Sequence, residues 1–218
     1  MGHSVYTPPR QFLDAKIHAW QRMWEDLEIG YLDEDILVLL LEFFARPLTY
    51  PASSCSGRIV LLDSEYPWAK EETMVVFKSH KSISVEQLRD MIYKPCSVRL
   101  WLSVQGPIYH VHTATIDEAM VILDAAREAG FKHSGIMVMS YGDIILELRT
   151  GIRLNIPLKD GDTILVDQSK LDYIVNLSNK LLQEAKERNM RLLDALRKRR
   201  PEKLWEPAVH ALDRLAQG

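Results

Sequence analysis

Apolar residues at Leu13, Ile17, Trp20, Trp24 and Leu27 recur at three- and four-residue intervals, which predicts an amphipathic helix. Asp33 stands where it can cap a second helix carrying Ile36, Leu37, Leu40, Leu41 and Phe44, with Pro47 to stop it. Residues 49–58 are small, polar and interrupted by Pro51, so they read as a loop running into a short strand over 59–62. Another strand is expected over 74–77, and Ser84 with Gln87 forms a capping box for a helix ending near Tyr93.

The middle of the chain alternates. Val98, Leu100, Leu102 and Val104 interleave with Arg99, Trp101 and Ser103, the pattern of a strand with one face buried. Gln105-Gly106-Pro107 makes a turn, and residues 108–113 return as the second strand of a hairpin. Thr115 and Glu118 box in a helix carrying Ala119, Leu123 and Ala126, which stops at Gly130. Strands are expected over 135–139, 143–148 and 152–156. Ser169 then opens a long helix with Leu171, Ile174, Leu181, Ala185, Leu192 and Leu196 on one face, and Pro201 starts a short terminal helix. Helices at both ends and between groups of adjacent strands give an α+β class rather than a regular βαβ wind. The expected architecture is a mixed or antiparallel sheet core with flanking helices, in a single domain over 1–218. Residues 1–19 read as a peripheral N-terminal segment and residues 197–218 as a basic helical extension.

Composition narrows the class. The chain has 218 residues, 47% of them hydrophobic and 26% charged, which excludes disordered and collagen-like types. The richest apolar run, residues 36–41, is far below the roughly 18–20 residues that span a bilayer. The N-terminus lacks the basic and apolar regions of a signal peptide, and Met1-Gly2-His3-Ser4 carries no weight. Two cysteines, Cys55 and Cys96, are too few for a disulfide scaffold or a cysteine zinc site. A reduced, cytoplasmic protein is expected, with no membrane association. Net charge is −3, yet residues 186–203 carry eight basic and three acidic side chains, so +5 sits in one segment and −8 in the other 200 residues. Such asymmetry points to a polyanionic partner.

Five polar clusters could carry chemistry. Ser53-Ser54-Cys55-Ser56-Gly57-Arg58 offers hydroxyls, backbone amides and a guanidinium able to clamp a carboxylate or phosphate, or it is an ordinary polar turn. His110 and His112 share one strand face with Ile108, and could contact substrate, handle protons or serve structure. A metal would need further ligands that the spacing does not supply, so none is expected. Gly130-Phe131-Lys132-His133-Ser134-Gly135 packs polar side chains into a helix-to-strand connection, and Ser79-His80 ends a strand in a similar way. Arg197-Lys198-Arg199-Arg200 could bind phosphates or form a solvated helix face. No phosphate-binding loop, GxSxG, HExxH or GxGxxG occurs.

Together these clusters resemble the wybutosine-synthesis tRNA(Phe) N4-methyltransferases, in an archaeal-like, single-domain form. The resemblance rests on Ser53 through Ile59, Ser79-His80, Gly106-Pro107-Ile108-Tyr109-His110-Val111 and Gly130-Phe131-Lys132-His133-Ser134-Gly135-Ile136. Glu147-Leu148-Arg149-Thr150, Asn155-Ile156-Pro157-Leu158 and Asn179 extend it, so that it covers roughly residues 20–196. One departure is Gln105-Gly106-Pro107, where the family usually has Glu-Pro. The resemblance implies a fold unlike the Rossmann methyltransferases, S-adenosylmethionine as methyl donor, and N4 of a tricyclic guanosine derivative beside the tRNA(Phe) anticodon as acceptor. It further implies His110 and Arg58 as catalytic, with Ser54, Ser56, Gly57, Arg58, Ser134 and Gly135 at the cofactor. His80, His112, Lys132 and His133 are then expected at the base, and Arg197, Lys198, Arg199 and Arg200 on the anticodon-stem phosphates. The alternatives are a tRNA-binding scaffold without chemistry and a small-molecule hydrolase using Cys55 and His110.

Overall fold

The first helix, α1 (Arg10–Glu28), packs only part of its predicted apolar stripe: Trp20, Trp24 and Leu27 lie against the core. Leu13 and Ile17 are exposed, and the side chains turned inward are Phe12, Lys16 and Met23. The reason is a polar anchor. The Lys16 ammonium donates to the carbonyls of Phe44, Arg46 and Thr49 at 2.8, 2.6 and 2.9 Å, capping the end of α2 (Leu37–Ala45) with a cation. In this computed structural model, residues 6–69 and 73–217 are described; Met1-Gly2-His3-Ser4 lie outside them.

The chain forms two compact units. The first takes the chain up to Cys55, Ile108–Thr150 and the stretch from Arg188 onward; the second takes Ser56–Pro107 and Gly151–Glu187. The remaining elements of the first unit are β1 (Thr49–Cys55), β5 (Ile108–Thr113), α4 (Ile116–Glu128), β6 (Gly135–Ser140), β7 (Asp143–Arg149) and α6 (Glu206–Gln217). Those of the second are β2 (Arg58–Asp63), β3 (Met74–Ser79), α3 (Val85–Tyr93), β4 (Arg99–Gln105), β8 (Arg153–Asp160) and β9 (Thr163–Ile164). Helix α5 (Leu171–Arg197) gives its beginning to the second unit and its end to the first.

The class is α+β, as expected, with two antiparallel sheets in place of one. The first unit's sheet has the order β1-β5-β7-β6 and the second unit's β3-β2-β4-β8-β9. Tyr109 and Val111 of β5 and Ile144, Leu146 and Leu148 of β7 alternate into the first core. Phe43, Phe44, Ala126 and Leu196 from the helices join them there. In the second unit Ile59, Leu61, Leu102 and Val104 pack with Leu88 and Ile92 of α3 and with Leu171 and Leu182 of α5. No described helix is long and apolar enough to cross a membrane.

Several local expectations change. The strands on either side of Gln105-Gly106-Pro107 do not pair as a hairpin: β4 bonds β2 and β8, while β5 bonds β1 and β7 in the other sheet. Residues 49–55 form strand β1 rather than a loop; β1 lies at a sheet edge, where the amide that Pro51 lacks is not needed for the ladder. Asp33 makes no side-chain cap, because a single turn of tighter helix, Glu34–Ile36, comes before α2. Asp167 rather than Ser169 opens the last turn before α5, accepting from the Ser169 amide at 2.8 Å. Pro201 lies before α6, whose start is set instead by the Trp205 amide bonding the Ala45 carbonyl at 2.8 Å. The Ser84–Gln87 capping box forms in full. At α4 only half of the expected box exists: Thr115 caps the Glu118 amide, while the Glu118 carboxylate turns to Arg46 and Thr49.

Candidate active site

In the first unit the polar chemistry lies on the sheet face turned away from the core. Along β5, Tyr109, Val111 and Thr113 are buried while Ile108, His110 and His112 are half-buried, as period-two alternation requires. Cross-strand pairing places Ser53 beside His110 on one side and Glu147 on the other. A bulge in β1 makes this possible. The register with β5 shifts between Pro51 and Ser53, so Tyr50 and Ser53, three residues apart, face the same way. It is therefore Ser53, and not Ser54, that meets His110.

The three side chains form a line. Ser53 Oγ lies 2.6 Å from His110 Nδ1, and His110 Nε2 lies 3.6 Å from a Glu147 carboxylate oxygen. The hydroxyl holds the ring at one nitrogen, and the Glu147 carboxylate stands beside the other. The second histidine has its own frame: His112 Nδ1 is 2.7 Å from Asp143 and its ring stacks on Tyr50 with centroids 4.6 Å apart. Burial, and then the nearby Asp143 carboxylate, push the Tyr50 phenol up to about 12, so it remains a neutral hydrogen-bond donor. Beneath the sheet, burial holds the Tyr109 phenol well above its usual range, and its hydroxyl donates to Asn189 at 2.8 Å.

The connection from α4 to β6 bends at Gly130, whose φ of +90° suits glycine; a Cβ there would come within 3.0 Å of Arg188. Ser134 spends its hydroxyl on this loop, donating to the Phe131 carbonyl at 2.7 Å and accepting from the Arg149 amide at 3.0 Å. Lys132 and His133 are exposed, and Gly135 pairs with Glu147 across the ladder. A cavity of about 470 Å³ opens between α1 and β1, lined by His18, Arg22 and Asp26 from the helix and by Tyr50, Ser53, Ser54 and His112 from the sheet. The helix wall was missed from sequence; its only signal is polar residues at every fourth position, 18, 22 and 26.

In the second unit, Ser56 is buried and its hydroxyl accepts from Lys186. Gly57 has φ +98°, and a Cβ there would meet the Ala185 Cβ at 3.2 Å, so only glycine lets α5 approach this turn. Arg58 donates from Nε to Gln105 at 2.8 Å. Gln105, the departure from the family pattern, thus holds Arg58 as a neutral acceptor. His80 follows β3 and is half-buried. Asn179 holds the segment after it, accepting from the Ile83 amide and donating to the Ile83 carbonyl, both at 2.9 Å.

The basic run splits into two kinds of residue. Arg200 grips the wholly buried Glu42 carboxylate with two hydrogen bonds of 2.7 and 2.6 Å, and Arg197 stands 3.7 Å from it. Lys198 and Arg199 pair with Glu128 at 3.2 and 2.6 Å, contacts that hold the Glu128 carboxyl below its ordinary value, Arg199 most.

The family described as Methyltransferase TYW3 matches residues 14–198. A tRNA(Phe) 7-((3-amino-3-carboxypropyl)-4-demethylwyosine(37)-N(4))-methyltransferase of Saccharolobus solfataricus is 44% identical over 82% of this chain and 86% of its own length. A namesake in Thermococcus sibiricus is 33% identical over 84% of this chain and 93% of its own. Among solved structures, the PH1069 protein of Pyrococcus horikoshii superposes with a TM-score of 0.80 at 31% identity, covering 85% of this chain and 95% of that one. The family match and these relatives agree with the architecture, and the chain belongs to the TYW3 methyltransferase family.

Proposed function

We propose that this protein methylates N4 of 7-(3-amino-3-carboxypropyl)-4-demethylwyosine at position 37 of tRNA(Phe), the reaction for which its relatives are named, with S-adenosylmethionine as donor. The observation that carries the reading is the Ser53–His110–Glu147 line on the open face of the first unit's sheet. It is a held imidazole with one nitrogen directed at a carboxylate, in a chain of this family.

The residues fit such a donor. The first unit's cavity of about 470 Å³ lies in the size range of small-molecule sites; it carries both charge signs, hydroxyls and the Tyr50 ring, which suit a nucleoside joined to an amino acid. When bound, the sulfonium supplies a methyl group already activated for transfer. The chain's own work is then alignment, exclusion of water and proton handling. His110 Nε2 would take the proton that N4 releases on methylation. Ser53 holds the ring, and Glu147 offsets its new charge. Ser54, in the wall of the first unit's cavity, contacts the donor, and the terminal nitrogens of Arg58 suit an anionic group. His112, Lys132 and His133 of the first unit contact the base. Arg197 and Lys198, the more exposed members of the basic run at 45% and 68%, reach tRNA phosphates beside Arg199 and Arg200. The protein works in the cytoplasm, where tRNA is modified.

Nucleoside mass spectrometry of tRNA(Phe) from cells lacking the protein is the test. Accumulation of the unmethylated base supports the reading, and an unchanged nucleoside profile refutes it. Heat released on titrating the protein with S-adenosylmethionine separates an enzyme from a tRNA-binding scaffold.

A further inference from the structure

We propose that the cavity between α1 and β1 is a clamp for an α-amino-acid group, with Arg22 binding the carboxylate and Asp26 the ammonium. The two side chains stand one turn apart on α1, both in the cavity wall. Arg22 Nε lies 3.7 Å from an Asp26 carboxylate oxygen, beyond hydrogen-bonding distance, so each keeps its strong valences for another partner. A zwitterion matches this pair: its carboxylate meets a guanidinium fork and its ammonium meets a carboxylate. The rest of the cavity suits the chain that carries such a group. Met23, Leu40 and Phe44 give it an apolar floor, against which methylenes pack. Its far wall is Ser53 and His112, so a ligand held at Arg22 and Asp26 extends toward the sheet face that carries His110.

The inference rests on the methyltransferase reading above, and that reaction offers two sources of the same group. One is the methionine end of the donor. The other is the 3-amino-3-carboxypropyl arm named in the relatives' substrate. Neither Arg22 nor Asp26 belongs to the sequence clusters that mark the family resemblance, so the clamp is a property of this chain's first helix.

Arg22→Ala and Asp26→Asn test it. Arg22 is 65% exposed and pairs only at long range, so both variants should keep the wild-type unfolding temperature. Affinities are measured for S-adenosylhomocysteine and for methylthioadenosine, which lacks the amino-acid end, and for substrate tRNA with and without the amino-carboxypropyl arm. Loss of one charge-assisted contact corresponds to roughly ten- to hundredfold in affinity. A fall of that size for S-adenosylhomocysteine, with methylthioadenosine unchanged, assigns the clamp to the donor. The same fall for arm-bearing tRNA alone assigns it to the substrate. Normal methylation with all four affinities unchanged overturns the clamp and leaves the function standing. Wild-type protein that binds neither nucleoside nor tRNA overturns both.

Discussion

Replacing Arg200 by Ala removes a cation from the C-terminal basic run, and its main effect should be on folding rather than on tRNA. Arg200 makes two hydrogen bonds, of 2.7 and 2.6 Å, to a Glu42 side chain that is 0% exposed. Removing one partner of a fully buried ion pair costs about 3–5 kcal/mol, because the other charge is left in a dry place. Two features lower that figure: Arg200 is itself 38% exposed, and Arg197 remains 3.7 Å from the same carboxylate. A loss of about 3 kcal/mol is expected, which for a chain of this size lowers Tm by roughly 6–12 °C. Thermal and urea unfolding of the wild type, Arg200→Ala, Glu42→Gln and the double variant form a cycle. The double variant should lose less than the sum of the singles, since the neutral amide no longer needs a cation. An Arg200→Ala protein within about 0.5 kcal/mol of wild type, or strict additivity in the cycle, refutes the reasoning.

Other outcomes follow from the same geometry. His110→Gln should lower the methylation rate by about 10²–10⁴-fold, with S-adenosylmethionine affinity unchanged in calorimetry. Lys16→Met leaves the Phe44, Arg46 and Thr49 carbonyls without their shared donor and should cost about 3–5 kcal/mol in denaturant unfolding. Burial, opposed by Glu118, pulls the Lys16 ammonium down to about 7. Its unfolded form therefore binds protons more tightly, so stability should rise between pH 7 and pH 10, a slope that Lys16→Met removes. Asp63 is opposed by burial but held below its usual value by the Ser97 and Val98 amides and Cys96. Its contribution is present above the ordinary carboxylate range and is lost as pH falls through the depressed value. Asp63→Asn should cost about 1–3 kcal/mol at neutral pH and flatten the acid side of the stability curve.

The parts of the fold that short-range chemistry decides were legible in the sequence. Ser84 and Gln87 cap each other within a few residues, and the β4 alternation depends only on which face meets the core. What was hidden depends on distant partners. Glu118 has the spacing of a capping box, yet Arg46 and Thr49, far earlier in the chain, outbid the local amide for its carboxylate. Leu13 and Ile17 look like a buried stripe, but the carbonyls at the end of α2 draw Lys16 inward and turn the helix. The histidines of β5 were visible through their alternation. Their partners Ser53, Glu147 and Asp143 were not, because pairing register is set by the whole sheet. Asn179 matched the family pattern without a role, and its two bonds to Ile83 give it a structural one.

The one-residue shift in β1 carries a lesson for how this strand tolerates change. Because the extra residue is bulged out of the ladder, Ser53 rather than Ala52 comes into line with His110. An exchange at Ala52, whose side chain is exposed, leaves the phase of the strand intact. Deleting that single codon removes the bulge and still leaves Ser53 opposite His110, whereas flattening the bulge with Ala52 in place would put the alanine there instead.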